Sequence, residues 1–143
     1  MNETHSIAIT DNPDPNDIQV IENGLTAFNL LHAPPENYQR LLVTLRADDG
    51  TLHGGIIGNT WWGWLRIDEL WVDEAVRGQD WGTHLMEAAE AEAIRRGCHH
   101  VFLDTMSFQA LPFYLKLGYT TFGQLDDLPL GHSRYFLQKR LIA

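Results

Sequence analysis

Cysteine occurs only once, at Cys98, so no internal disulfide can form and the small disulfide-stapled scaffolds are excluded. Basic residues are also scarce, 10 Lys and Arg against 19 Asp and Glu, for a net charge of −9. No basic stripe exists to displace counterions from a phosphate backbone, which argues against a nucleic-acid binder. No apolar run approaches the roughly 18 residues of a membrane span. The opening MNETHSIAITDNPDPND has no basic stretch followed by an apolar block, so no secretory signal is expected, and cytoplasm is the expected compartment. Repeats, low-complexity tracts and long linkers are lacking too. What remains is a chain of 143 residues, 44% hydrophobic and 20% charged, suited to a single globular domain over 1–143. Its acidic surface favours cationic partners such as amines.

Turn and cap signals divide the chain. Ile7–Thr10 reads as a short edge strand, and Asp14 before Pro15 as the N-cap and first position of a helix. Ile18, Ile21, Leu25 and Phe28 form one helical stripe, giving a helix to about Leu31 that Pro34-Pro35 stops. Arg40–Ala47 and Thr51–Trp62 are strand-like runs around Asp48-Asp49-Gly50, a hairpin signal. A second turn near Gly63 leads into the strand WLRIDELWVD. After a glycine-containing loop, Leu85, Met86, Ala89, Ala93 and Ile94 make the apolar face of a helix closed by Arg95, Arg96 and Gly97. His100–Met106 is a strand, Gln109–Leu117 a short helix ending at Gly118, and Tyr119–Leu125 and Ser133–Leu141 two more strands. The order predicts an α/β (α+β) fold with a mixed sheet and helices on its faces.

The loop ahead of the second helix, VRGQDWGTHL, is the first candidate site. A strand, a loop with two glycines and an arginine, and then a helix would aim free backbone N–H groups at one point, where the helix dipole favours an anion. Spacing alone leaves a plain tight turn equally open, and no Walker pattern follows. Asp80, with the sign of a phosphate, stands in the middle of the loop.

This segment resembles the acetyl-CoA pyrophosphate motif Gln/Arg-x-x-Gly-x-Gly/Ala of the GNAT superfamily of N-acetyltransferases. The segment ALPFYLKLGY resembles that family's Ala-x-x-Phe-Tyr-x-x-x-Gly-Phe/Tyr pattern. The order of strands and helices agrees along nearly the whole chain. The resemblance implies a GNAT-like single domain with a mixed, mostly antiparallel central sheet flanked by helices. It implies that Arg77, Gly78, Gln79, Asp80, Trp81, Gly82 and Thr83 wrap the pyrophosphate, and that Leu70 and Val72 pair their backbones with the pantetheine arm. Tyr114 takes the position of a tyrosine that protonates the departing CoA thiolate. Two positions depart from the pattern: Asp80 stands where glycine is usual, and Ser107 where an asparagine often contacts the cofactor.

The implied chemistry is direct attack of an amine on the thioester of acetyl-CoA. An alkylamine of pKa about 10 is roughly 99.9% protonated near neutral pH, so a carboxylate should take its proton, directly or through water. Glu69 is favoured, on a strand face expected to include Ile67 and Trp71, with Asp68 and Asp104 as alternatives. The oxyanion needs a backbone N–H donor, expected near Leu70–Val72. The acceptor groove is expected from the first helix and the DDLPLGHSR loop, where Asp126 and Asp127 again favour a cationic amine.

Tyr114 also admits a plain packing role beside Phe113, with Phe113 and Leu117 as the more evident packing face. The tryptophans 61, 62, 64 and 71 are expected as core or homodimer contacts, one or two of them walling an amine pocket. No metal is expected, because His99 and His100 on a strand point to opposite faces and HExxH and CxxC are absent. Cys98 reads as a small buried hydrophobe. Two further readings compete with acetyl transfer: a non-catalytic acyl-CoA-binding module of the same fold, and an α/β domain holding another phosphorylated ligand.

Overall fold

Short polar caps and tight turns set the element boundaries. The computed structural model describes residues 3–142, which divide along the chain into two compact units, one up to Pro35 and one from Glu36. In the first unit the helix α1 spans Pro15–Leu30. Its N-cap is Asp14, whose carboxylate accepts from the Asn16 N–H at 2.8 Å, with Pro15 in the first turn as expected. The expected edge strand at Ile7–Thr10 does not form. A strand is held by its ladder, and no ladder pairs this segment; instead the Thr10 hydroxyl accepts from the Asn12 N–H and starts the turn.

The second unit carries β1 (Gln39–Arg46), β2 (Leu52–Trp61), β3 (Trp64–Val72), α2 (Trp81–Arg95), β4 (His100–Met106), α3 (Leu111–Lys116), β5 (Thr120–Asp126) and β6 (Ser133–Arg140). The six strands make one sheet in the order β1-β2-β3-β4-β6-β5. Every neighbouring pair is antiparallel except β3 and β4, which α2 connects as a parallel crossover. This is the mixed sheet that the element order predicts, and mostly antiparallel as the resemblance implies.

One sheet face packs against α2. Leu85, Met86, Ala89 and Ala93 are buried there with Leu41, Ile56, Leu65, Ile67, Val101, Leu103 and Leu137. The two alanines let the helix axis approach the strands closely. Side chains of Leu85 or Met86 type contribute about 1.5–3 kcal/mol each when fully buried. Ile94, expected on this face, is exposed, because it stands about 100° around the helix from Ala93. Cys98 is buried with this core, and its desolvation pushes the thiol pKa up, as fits an inert hydrophobe.

The sheet also opens a site. β3 and β4 pair only from Trp64 with His100 to Ile67 with Leu103. Beyond that point β3 carries a bulge against β2: Ile57 faces Glu69 and Gly58 faces Ile67, leaving Asp68 as the extra residue. A bulge bends and twists its strand, so the end of β3 parts from β4, which continues to Met106 alongside β6.

Candidate active site

The bulge changes which residues look into the gap. Before it the odd residues Leu65 and Ile67 are buried; after it the even residues Leu70 and Val72 turn inward, while Glu69 and Trp71 are exposed. The expectation that Glu69 shares a face with Ile67 is therefore corrected, because one inserted residue inverts the alternation. Asp68 is committed locally, with its carboxylate 2.9 Å from Arg66 Nε and accepting from Asn59 Nδ2 at 3.2 Å.

Where the strands part lies a cleft of about 620 Å³. Its walls include Glu69, Leu70 and Trp71 from β3, Asp104 and Thr105 from β4, Tyr114 from α3 and Arg134 from β6. Five residues singled out from the sequence, Asp68, Glu69, Leu70, Asp104 and Tyr114, thus line one cavity although 46 positions separate the first from the last. Val72, the 77–83 loop and Ser107 lie outside its lining.

Tyr114 is the buried residue of α3, with Phe113 and Leu117 only partly covered. Phe113 and Leu117 pack against the core as expected, and Tyr114 turns inward more fully, with Tyr119 and Phe113 around it at ring-centroid distances of 5.9 and 5.0 Å. It is both a core residue and a cleft wall. Burial, and then the negative charge of Asp104, push its phenol pKa up to about 12. The hydroxyl stays protonated across the working pH range and makes no hydrogen bond among the described residues. It is an available donor facing a cavity.

Asp104 is half-buried and sits 3.4 Å from Arg134 Nη1. Gln109 braces the turn below it, its side-chain oxygen accepting from the Met106 N–H at 2.8 Å and the Thr105 hydroxyl at 3.3 Å. Ser107 bonds β6: its N–H donates to the Ser133 carbonyl at 2.7 Å, and its hydroxyl accepts from the Ser133 N–H at 3.1 Å. The same hydroxyl lies 3.4 Å from His132 Nδ1.

The loop after β3 is built by short capping bonds. Asp73 accepts from the Ala75 N–H at 3.2 Å and starts a 3₁₀ turn over Glu74–Val76, while its other oxygen lies 3.2 Å from His53 Nδ1. The amide bond first, and His53 next, hold the Asp73 carboxyl below the usual carboxylate range. Arg77 Nε donates to the Val72 carbonyl at 2.9 Å, so the arginine folds the loop back onto the strand end. Gly78 and Asp80 then adopt positive φ, 78° and 63°. Asp80 is the N-cap of α2 yet its side chain makes no cap bond, so the first-turn N–H groups of Trp81, Gly82 and Thr83 have no side-chain cap from it. Gly82 has a packing reason of its own: a Cβ there would meet the Phe113 ring at 3.3 Å, so this glycine lets α2 and α3 approach.

A profile of the acetyltransferase (GNAT) family matches residues 4–119. The chain belongs to this family. Family membership sets the chemistry as acetyl transfer with acetyl-CoA as donor. The chain is 37% identical to Acetyltransferase Atu2258 of Agrobacterium fabrum, over 94% of its own length and 98% of that protein's. It is also 40% identical to the blasticidin-S acetyltransferase of Streptomyces morookaense over 93 residues, covering 64% of this chain and 68% of that one. Among solved structures, an acetyltransferase from Bacillus cereus superposes with a TM-score of 0.84 at 32% identity, covering 93% and 97% of the two chains.

Sequence reasoning missed Arg134, Thr105 and Gln109 as cleft residues. Arg134 was visible only as the end of the DDLPLGHSR loop; the pairing of β6 beside β4 brings it to the cleft. Of the tryptophans, only Trp71 reaches this cleft. Trp61 and Trp64 pack on Phe102 and His100 at the opposite end of β3, with Trp64 stacked on His100 at 4.5 Å. Among the described residues no group of three His, Cys, Asp or Glu side chains gathers as a metal site, and no helix is long and apolar enough to cross a membrane.

Proposed function

We propose that this GNAT-family chain is an N-acetyltransferase that moves the acetyl group of acetyl-CoA directly to a primary amine within a ternary complex. The observation that carries the reading is the meeting of Glu69, Leu70, Asp104 and Tyr114 at the cleft where β3 and β4 part. The pyrophosphate lies on the first-turn amides of α2, supported by the positive-φ turn at 78–80 and the absence of a side-chain cap. The pantetheine arm follows the free edge of β3 at Leu70. The Val72 carbonyl is already taken by Arg77, so that residue offers its amide rather than its oxygen.

Glu69, exposed and among the residues that line the cleft, takes the proton from the ammonium of the acceptor, freeing the nitrogen lone pair. The nitrogen attacks the thioester carbonyl, and backbone N–H groups near Leu70–Val72 steady the oxyanion. Collapse of the tetrahedral species breaks the C–S bond; Tyr114 gives the leaving sulfur its proton, and the second proton shed by the nitrogen as the amide forms restores the phenol. Asp104 is less suited to the base role because its carboxylate is engaged with Arg134. The net charge of −9, with Asp126 and Asp127 in the β5–β6 hairpin, favours a cationic acceptor in a cytoplasmic setting. The relation to blasticidin-S acetyltransferase supports acetyl transfer rather than passive acyl-CoA binding.

The test is initial-velocity kinetics of thiol release with acetyl-CoA and the amine varied together. Intersecting double-reciprocal lines support a ternary complex; parallel lines point to an acetyl-enzyme and sink the direct route.

A further inference from the structure

The cleft holds a cation that the proposed transfer step does not use. Arg134 is the second residue of β6, paired in register with Met106 of β4 and Leu125 of β5. Its Nη1 reaches Asp104 Oδ2 at 3.4 Å, long for a charge-assisted hydrogen bond. Its Nε is buried and has no hydrogen-bond partner among the described residues. Other arginines of the chain are better served. Arg66 holds Asp68 at 2.9 Å from Nε, and Arg96 reaches Thr60 Oγ1 at 3.2 Å and Glu92 at 3.4 Å. A guanidinium has five N–H donors in a planar fork that matches a carboxylate, and a buried unused donor is uncommon enough to need a reason. Here the side chain, 28% exposed, lines a concave site also walled by Glu69 and Tyr114.

Resting on the transfer reading above, we propose that Arg134 is the acceptor-specificity residue and that the acceptor carries a carboxylate as well as its amine, as a free amino acid does. The substrate carboxylate takes the guanidinium donors that reach the cleft, where Asp104 competes only at 3.4 Å, and the unpaired Nε leaves the fork with no other bond to hold it in place. Asp104 holds the guanidinium until the substrate arrives. The acidic groups of the cleft receive the amine, and Arg134 sets which end of the molecule faces away from the thioester.

The experiment offers the protein amino acids and their C-terminal amides as paired acceptors at saturating acetyl-CoA, reading kcat/KM from thiol release. An acid-over-amide ratio of about tenfold or more is expected for the best acceptor, equal to about 1.4 kcal/mol. Arg134→Gln should bring that ratio close to one, through a higher KM for the acid, while KM for acetyl-CoA stays in place. Arg134→Lys, which keeps the charge without the fork, should retain part of the preference and controls for folding. Asp104→Asn should raise the ratio by freeing the guanidinium, whatever else it does to turnover. A wild-type ratio of one or below overturns the proposal, as does an equal loss for acids and amides in Arg134→Gln or an unmoved ratio in Asp104→Asn. Acetylation confined to amines without a carboxylate removes the role of Arg134 and leaves the transfer reading standing. Acetyl-CoA binding with no amine acetylated removes both.

Discussion

At φ 63° Asp80 occupies the left-handed region, which glycine, asparagine and aspartate tolerate best. That backbone demand accounts for an acid where GNAT members usually have glycine. Its carboxylate is not spent as a cap, so it stands free beside the amides proposed to hold the pyrophosphate. Charges near a helix N-terminus interact by about 0.3–1 kcal/mol when exposed and up to about 2 when partly buried. Asp80→Asn, which keeps the tolerated geometry and removes the charge, is expected to tighten acetyl-CoA about 2- to 30-fold. Added salt should narrow the gap. Calorimetric titration at two salt concentrations checks this, and equal or weaker binding would show a carboxylate turned away from the phosphates. Tyr114 makes the complementary case. Its phenol pKa, raised to about 12, keeps the proton in place at any pH where the enzyme works, so a kcat profile should show no alkaline loss from this group below about pH 10. Tyr114→Phe should lower kcat by about 10²–10⁴ while KM for acetyl-CoA changes little. Turnover near that of the wild type would remove the hydroxyl from the reaction.

At the scale of elements, one residue of register decides the site. The alternation of β3 was legible in WLRIDELWV, but the bulge at Asp68 was not, because it depends on how β2 pairs with β3. The consequence is that Glu69 faces out with Trp71 while Ile67 faces in. The same limit explains Ile7–Thr10, where β-forming residues found no partner strand, and Tyr114, whose burial is set by packing with Tyr119 and Phe113. Boundaries fixed by local chemistry were readable: Asp14 with Pro15, the turn at Asp48-Asp49-Gly50, and Gly97 behind α2. The 3₁₀ turn at Glu74–Val76 is one more local device, hung on Asp73. Because hydrogen bonding depresses the Asp73 pKa, its contribution is present above the ordinary carboxylate pKa of about 4 and is lost as pH falls through the lower folded value. Asp73→Ala should therefore weaken acetyl-CoA binding severalfold at pH 7, by loosening the path from β3 to α2. The difference from wild type should shrink as the pH falls through the carboxylate range. Equal affinities at pH 7 would mean the turn forms without its cap.

Across the whole molecule, the family and the order of elements from α1 onward were legible because both sequence segments that carry the resemblance sit on elements fixed by local signals, whereas the order of strands within the sheet was not. The convergence of Glu69, Asp104 and Tyr114 was only half legible. The role expected of Tyr114 followed from the resemblance and the need for a carboxylate base from the protonation of the amine, but the meeting of these side chains at one cavity follows from the parting of β3 and β4, and Arg134 enters only through the placement of β6. Net charge gives the broadest expectation, a surface that attracts amines and repels an anionic donor, so the donor must be held by a specific cradle. The most direct measurement is therefore a mass-resolved transfer assay with the whole protein, acetyl-CoA and a panel of amines, counting free CoA thiol against acetylated amine. One thiol released for each acetylated amine, with release dependent on the amine, is the predicted result. Saturable acetyl-CoA binding with no thiol and no acetylated amine across the panel would contradict it and leave an acyl-CoA-binding module.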